Sequence, residues 1–251
     1  MLTEYLPKPT GPRRFYMLFG ALIIAAWGLL IAWQNSPYAE LLGHESLADH
    51  HIPFASHLGG FLLSWLLMTV AMILPANLPL LAQTQRNRMG MNWSAAQMVV
   101  GYHLPWIGFG LLAFLGDSIL HELAEEGAPL AGASGFIAPA ILLTVGIYQL
   151  TPIKRKFIER CKPTGELGLP PDAPHQVSAI KHGFRMGLNC IGSCCSIMLL
   201  MFALGQHRLE WMVVLGGIAS AERFLPWRSR LAQWVGAGII AWGIYSVIVM
   251  I

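Results

Sequence analysis

Charged side chains are scarce in this sequence. Only 12% of the 251 residues are Asp, Glu, Lys or Arg, whereas 55% are hydrophobic. Water-soluble domains are about one quarter charged, so this chain has too little charge to cover a soluble body. Several apolar runs approach the roughly 20 residues that cross the hydrocarbon core of a bilayer. We therefore expect an all-α fold, a polytopic membrane helix bundle.

The sequence also lacks the short motifs of several protein classes. It contains no phosphate-binding P-loop, no dinucleotide fingerprint and no Ser, His and Asp arrangement that indicates a hydrolase. No basic helix interleaved with aromatic residues is present, so the net charge of +3 does not indicate a nucleic-acid partner. The sequence leaves catalysis open but favours a protein that is not an enzyme.

Cysteine is rare, and its placement is uneven. Three of the four cysteines lie in one apolar run, GLNCIGSCCSIMLLMFALG, at 187–205. Thiols inside a membrane do not make the disulfide framework of a small secreted domain. The absence of a Cys-x-x-Cys motif also disfavours a thiol–disulfide enzyme. The fourth cysteine, Cys161, is predicted to be a reduced thiol in a basic cytoplasmic loop.

Apolar runs predict about seven transmembrane helices within a single domain, 1–251. The predicted spans are 15–33, 57–82, 98–116, 133–150, 187–205, 209–223 and 232–250. The first follows Arg13 and Arg14 without a small-residue cleavage site, so we expect a retained span rather than a removed signal peptide. The longest connection, 151–186, is expected to be an ordered loop.

The basic residues predict the topology of these spans. Seven spans place fifteen of the sixteen Lys and Arg residues on one side and only Arg208 on the other. Cytoplasmic loops collect Lys and Arg. We therefore expect a multi-pass protein with a cytoplasmic N-terminus and a C-terminus outside.

Sulfur-bearing side chains form a stripe on the fifth predicted span. At about 100° per residue, Cys194, Met198 and Met201 lie within about 80° of Cys190, whereas Cys195 lies about 140° away. Thiolate and thioether are soft ligands that select Cu(I), among other soft or borderline metals. Buried Cys and Met are also ordinary packing residues, and the stripe alone leaves both interpretations open.

The second predicted span has a polar and sulfur-bearing face. This face contains His57, Ser64, Met68, Met72, Pro75 and Pro79. Polar side chains find no hydrogen-bond partners in lipid. The prolines also leave backbone carbonyls without their helical donors, so other groups of the bundle must donate to them. We therefore expect this face to point into the bundle.

Four residues of different spans are predicted to share one depth, about 20 Å below the outer surface. They are Met72, His103, Cys190 and Glu222. Ionisable groups at this depth usually face the bundle interior or a functional path. Pairing of Glu222 with Arg223 or Arg228, and a packing role for His103, are the alternatives.

Two predicted outer loops are acidic and rich in His, and neither contains Lys or Arg. The first contains Glu40, His44, Glu45, Asp49, His50 and His51, and the other contains Asp117, His121, Glu122, Glu125 and Glu126. Such a surface attracts cations, although topology alone also leaves acidic residues outside. His57 and the i,i+4 pair of Asp117 and His121 could bind Cu(II) or Zn(II). Haem ligation by His57 and His121 is less favoured.

Several segments resemble a family of bacterial proteins described as predicted metal-binding integral membrane proteins. The resemblance covers roughly 57–225 and depends on WLLMTVAMILPANLP (65–79), YQLTPIKRKFIERCKP (148–163), GLNCIGSCCSIMLLMFALG (187–205) and EWMVVLGGIASAER (210–223). It implies roles for Met68, Met72, Pro75, Cys161, Cys190, Cys194, Cys195, Met198 and Glu222. Ile73 stands where the family usually has a second Met, which removes one possible thioether ligand.

Our leading hypothesis is a protein of the bacterial cytoplasmic (inner) membrane that handles a soft metal ion for delivery or transport. Copper is the expected ion, and zinc or haem is less favoured. The outer loops would collect the ion, His57, Met68 and Met72 would pass it inward, and Cys190, Cys194 and His103 would hold it.

An alternative hypothesis is an accessory or structural subunit of a larger membrane redox complex, such as a copper membrane monooxygenase or a respiratory enzyme. Nine Trp and many small residues suit packing against other membrane subunits.

Overall fold

The computed structural model describes residues 13–36, 54–86, 92–125, 134–161, 177–204 and 208–250. These ranges are almost entirely helical and contain no strand, which confirms the all-α prediction. The helices are α1 (Arg13–Gln34), α2 (Phe54–Met72), α3 (Leu74–Arg86), α4 (Asn92–Glu125), α5 (Ser134–Leu150), α6 (Pro152–Arg160), α7 (Val177–Leu204), α8 (Leu209–Phe224) and α9 (Arg228–Met250).

Within the described ranges, five helices are long and apolar enough to cross a membrane. They are α1, α2, α4, α7 and α9, and the pair α5 and α6, bent by 64°, makes a sixth if it counts as one span. Helix α8 has 16 residues. It rises only about 24 Å, which is less than the roughly 30 Å of a hydrocarbon core. The count of seven spans and the positions of the termini therefore stay predictions.

Two connections that were expected to be loops are partly helical. The predicted loop 151–186 contains α6 and the first turns of α7, and the predicted outer loop after span three is helical through Glu125. At the start of α6, Pro152 ends α5 because the residue before a proline disfavours helix. The hydroxyl of Thr151 then caps α6 by accepting a hydrogen bond from the Lys154 N–H at 3.3 Å. Hydropathy marks where apolar residues stop, but these helices continue into polar residues.

The predicted span 57–82 is broken into α2 and α3 near Pro75. Pro75 has no N–H to donate, so the carbonyl of Ala71 loses its helical partner. The indole N–H of Trp27, on α1, donates to that carbonyl at 3.1 Å. The expectation that the bundle satisfies a carbonyl freed by proline is confirmed here, and the bond ties α1 to the break.

Glycines allow α4 and α7 to pack with their backbones in contact. A Cβ atom at Gly101 would overlap the carbonyl oxygen of Ile180, and one at Gly183 would overlap that of Met98. Small residues permit this approach between membrane helices. These glycines therefore pack helices within the chain.

Replacement of Gly101 by Ala tests this contact. We expect Gly101→Ala to lower the free energy of unfolding by about 1–3 kcal/mol, because the new methyl group meets backbone that cannot rotate away. Gly108→Ala on the same helix is the matched control, since nothing lies within 4 Å of its Cβ position. Thermal unfolding in detergent compares the two, and equal losses of stability would contradict close packing of α4 and α7.

Candidate metal centre

Two buried thiols lie one turn apart on α7. Cys190 is 0% exposed and Cys194 is 5% exposed, and their thiols contact each other. Met198 and Met201 are also buried, two and three turns from Cys190. Cys195 is half-buried and contacts Tyr148 of α5, away from this pair. The structure thus brings together two of the three clustered cysteines.

The sulfur of Cys190 accepts hydrogen bonds from three other helices. The Tyr102 hydroxyl of α4 donates at 3.0 Å, the Asn77 amide of α3 lies at 3.6 Å and the Arg223 guanidinium of α8 lies at 3.7 Å. Because all three groups donate, they favour negative charge on the sulfur. The thiolate is the form of cysteine that binds metals.

Asn77 and Tyr102 hold each other in place around this sulfur. The Asn77 side-chain amide donates to the Tyr102 hydroxyl at 2.7 Å and to the Ile73 carbonyl at 2.8 Å. Both residues are buried, with exposures of 1% or less. Hydrogen bonds therefore fix the orientation of the two side chains that donate to the Cys190 sulfur.

A third thiol lies next to the pair. Cys161 caps the C-terminal end of α6 and is buried, although it was expected in a cytoplasmic loop. The Ser193 hydroxyl lies 3.9 Å from the Cys161 sulfur and 3.4 Å from the Cys194 sulfur. Burial raises the pKa of the Cys161 thiol, and the positive charge of Arg223 opposes that rise. The fold of α6 therefore brings the fourth cysteine to the α7 thiols.

A small cavity lies between α6, α7 and α8. It is lined by Ile158, Cys161, Ser193, Cys194, Ala219, Glu222 and Arg223. The cavity has room for about one water molecule or one monatomic ion. Two thiols and a guanidinium therefore border a space of the size that a single metal ion needs.

Neighbouring residues of α8 have separate electrostatic partners. Glu222 forms a buried ion pair with Lys154 of α6 at 2.7 Å and accepts a hydrogen bond from Gln149 of α5 at 3.2 Å. Neither sequence alternative for Glu222, pairing with Arg223 or with Arg228, is therefore observed. Arg223 instead faces the thiols, and within the described ranges no carboxylate forms a salt bridge with it.

The other residues that were predicted to lie deep in the bundle are also buried. Met68 and Met72 are 3% and 4% exposed, and the Met72 side chain packs at Gly216 of α8. The Nδ1 atom of His103 is 2.8 Å from the Val99 carbonyl oxygen, and its ring lies edge-on to that of Tyr102. Their proposed contact with copper stays a prediction.

The predicted outer residues are only partly described. His57 is buried at the start of α2, and Asp117 is half-buried on α4. His121 also lies on α4, but its side chain is outside the described residues, as is the first acidic loop. Among the described side chains, no three His, Cys, Asp or Glu form a group that could hold a metal ion.

Sequence reasoning from spacing missed several residues around the thiols. Tyr102 and Asn77 gave no motif, and Arg223 was considered only as a topology marker and as a possible partner of Glu222. A usable signal was the position of Arg223 beside Glu222 within an apolar run, since a buried Arg requires a partner. The family resemblance did indicate Cys161.

The residues present suit a Cu(I) ion. Thiolates are soft ligands that select Cu(I), and two of them suffice for its low coordination numbers. A search of known families matches residues 62–246 to the family PpoB2, described as copper chaperone. No curated protein and no solved structure gives a significant match. Because the family match covers well over half of the sequence, this chain belongs to the PpoB2 copper chaperone family.

Proposed function

We propose that this protein is a multi-pass protein of the cytoplasmic membrane that binds Cu(I) as cargo between the thiolates of Cys190 and Cys194 and delivers it to an acceptor. The observation behind the proposal is the contact between two buried thiols, one of which accepts hydrogen bonds from three helices. The family description, copper chaperone, supports copper handling, and delivery to an acceptor is our proposal.

The surroundings of the thiols suit a protected cargo. A water-excluding pocket shields Cu(I) from oxidation and from competing ligands. Cys161 lies on the cavity with Cys194, so we assign it to the position where the ion enters or leaves the pair. In such an exchange, the third thiol binds the ion before one of the first two releases it.

The methionine face of α2 offers further ligands along the proposed route of the copper ion to the thiol pair. Met68 and Met72 are buried, and Met72 packs at α8, the helix that also contributes Arg223. Thioethers bind Cu(I) without needing to lose a proton. We propose that this face passes the ion between the outer surface, with His57 at the start of α2, and the thiol pair.

The proposed site is tested by metal analysis of protein purified without a metal-affinity tag and loaded with Cu(I) under reducing, oxygen-free conditions. We expect about one copper per chain, with sulfur neighbours in the X-ray absorption spectrum. Cys195→Ser is the matched control, because this thiol contacts Tyr148 instead, and it should leave both results unchanged. Copper with only nitrogen and oxygen neighbours would reject the site.

A further inference from the structure

Arg223 is a buried cation that has no carboxylate partner among the described residues. Its side chain is only 7% exposed, and its Nη2 group finds no hydrogen-bond partner among the described residues. The adjacent carboxylate, Glu222, is already paired with Lys154 at 2.7 Å. A buried cation without a counter-charge is costly, so this guanidinium requires a negative group beside it.

Among the described residues, three thiols and the Tyr102 hydroxyl interact with Arg223. Its Nη1 atom lies 3.7 Å from the Cys190 sulfur, and the guanidinium also lies close to Cys161 and Cys194. A neutral thiol offers the cation little, whereas a thiolate offers a full negative charge. Arginine does not lose its proton in proteins, so its charge is permanent.

Charge balance then distinguishes metal ions by valence. A monovalent ion bound by the thiolates of Cys190 and Cys194 forms a complex of charge −1, which Arg223 neutralises. A divalent ion on the same two thiolates forms a neutral complex and leaves the guanidinium unbalanced. Burial of an unbalanced charge is unfavourable, so the site should discriminate against divalent ions.

We propose that Arg223 is a specificity-determining residue that makes the thiol pair select monovalent Cu(I) over divalent thiophilic ions such as Zn(II) or Cd(II). This inference rests on the proposed copper site. It adds that selection depends on a fixed positive charge beside the ligands, in addition to the softness of sulfur. Any proton that the two thiols still carry leaves to solvent when the metal binds, and no electron transfer is involved.

Arg223→Leu removes the charge and introduces no atom that could bind the metal. We expect its Cu(I) affinity to fall by roughly 10–100-fold, the usual effect of losing a group that supports metal ligands. Its Zn(II) affinity should rise or stay unchanged, so the ratio of the two affinities falls. Arg223→Lys keeps the charge and should recover most of the ratio. Competition with chelators of known Cu(I) and Zn(II) affinity measures both constants.

A measurement on the unaltered protein covers the case in which Arg223→Leu does not fold. Ag(I), which is soft and monovalent, should displace Cu(I), whereas Cd(II), which is thiophilic but divalent, should not. Displacement by Cd(II) as effective as that by Ag(I) would overturn the inference. So would an Arg223→Leu protein that binds Cu(I) at the thiols with unchanged selectivity. Unaltered protein that binds no Cu(I) overturns the copper site itself and this inference with it.

Discussion

Cys190→Ser/Cys194→Ser protein is expected to lose its high-affinity Cu(I) binding. Loss of groups that only support metal ligands costs about 10–100-fold in affinity, so removal of both ligands should exceed 100-fold. Serine is nearly the same size as cysteine. In the unaltered protein Tyr102 and Asn77 donate hydrogen bonds to the Cys190 sulfur, and a serine hydroxyl at this position can accept them instead. Titration of Cu(I) against a competing chelator measures the change.

Two controls separate loss of the site from loss of the fold. The double variant should unfold at nearly the temperature of the unaltered protein, since the buried hydrogen bonds keep an acceptor. Cys195→Ser should retain Cu(I), because this thiol contacts Tyr148 on another side of α7. Unchanged copper affinity in the double variant would count against the proposed site, whatever the family description says.

Lys154→Met is expected to lower the free energy of unfolding by about 3–5 kcal/mol. Lys154 and Glu222 form an ion pair whose side chains are 0% and 3% exposed, at 2.7 Å. Removal of one partner leaves the other charge buried with only the Gln149 amide to compensate it. Breaking a buried pair in this way is among the most destabilising single changes. Denaturant or thermal unfolding in detergent measures the loss.

The double variant Lys154→Met/Glu222→Gln is the informative control. It removes both charges, so no uncompensated ion remains and the loss should be much smaller than that of Lys154→Met alone. The new amide can still bond to Gln149. If the single and double variants lost the same stability, packing of α6 rather than charge would explain the effect.

The helical fold could be predicted from the sequence because it depends on local composition. Apolar runs of about 20 residues require helices in a bilayer, since each backbone N–H and C=O must find a partner within its own segment. The prediction of a carbonyl freed by proline also held, and Trp27 supplies the missing donor for Ala71. Helix ends were less well predicted, because the predicted span 57–82 is broken near Pro75 and α6 begins at Pro152 in a segment that was expected to be a loop.

The pairing of Cys190 with Cys194 could likewise be predicted, because residues four apart on a helix share a face. Their spacing with Cys195 also predicted correctly that the third thiol lies elsewhere. The depth of Glu222 was a weaker guide, since its carboxylate pairs with Lys154, a residue that topology had assigned to a loop.

The sequence by itself determined that this chain is helical and apolar and that it carries two thiols about one turn apart on α7. Only the tertiary structure decided what surrounds them, because Asn77, Tyr102, Cys161 and Arg223 come from four segments that are distant along the chain. Helical periodicity relates residues within one helix. The glycine contacts between α4 and α7, and the bend before α6, set the distances between helices, and the charge beside the thiols depends on those distances.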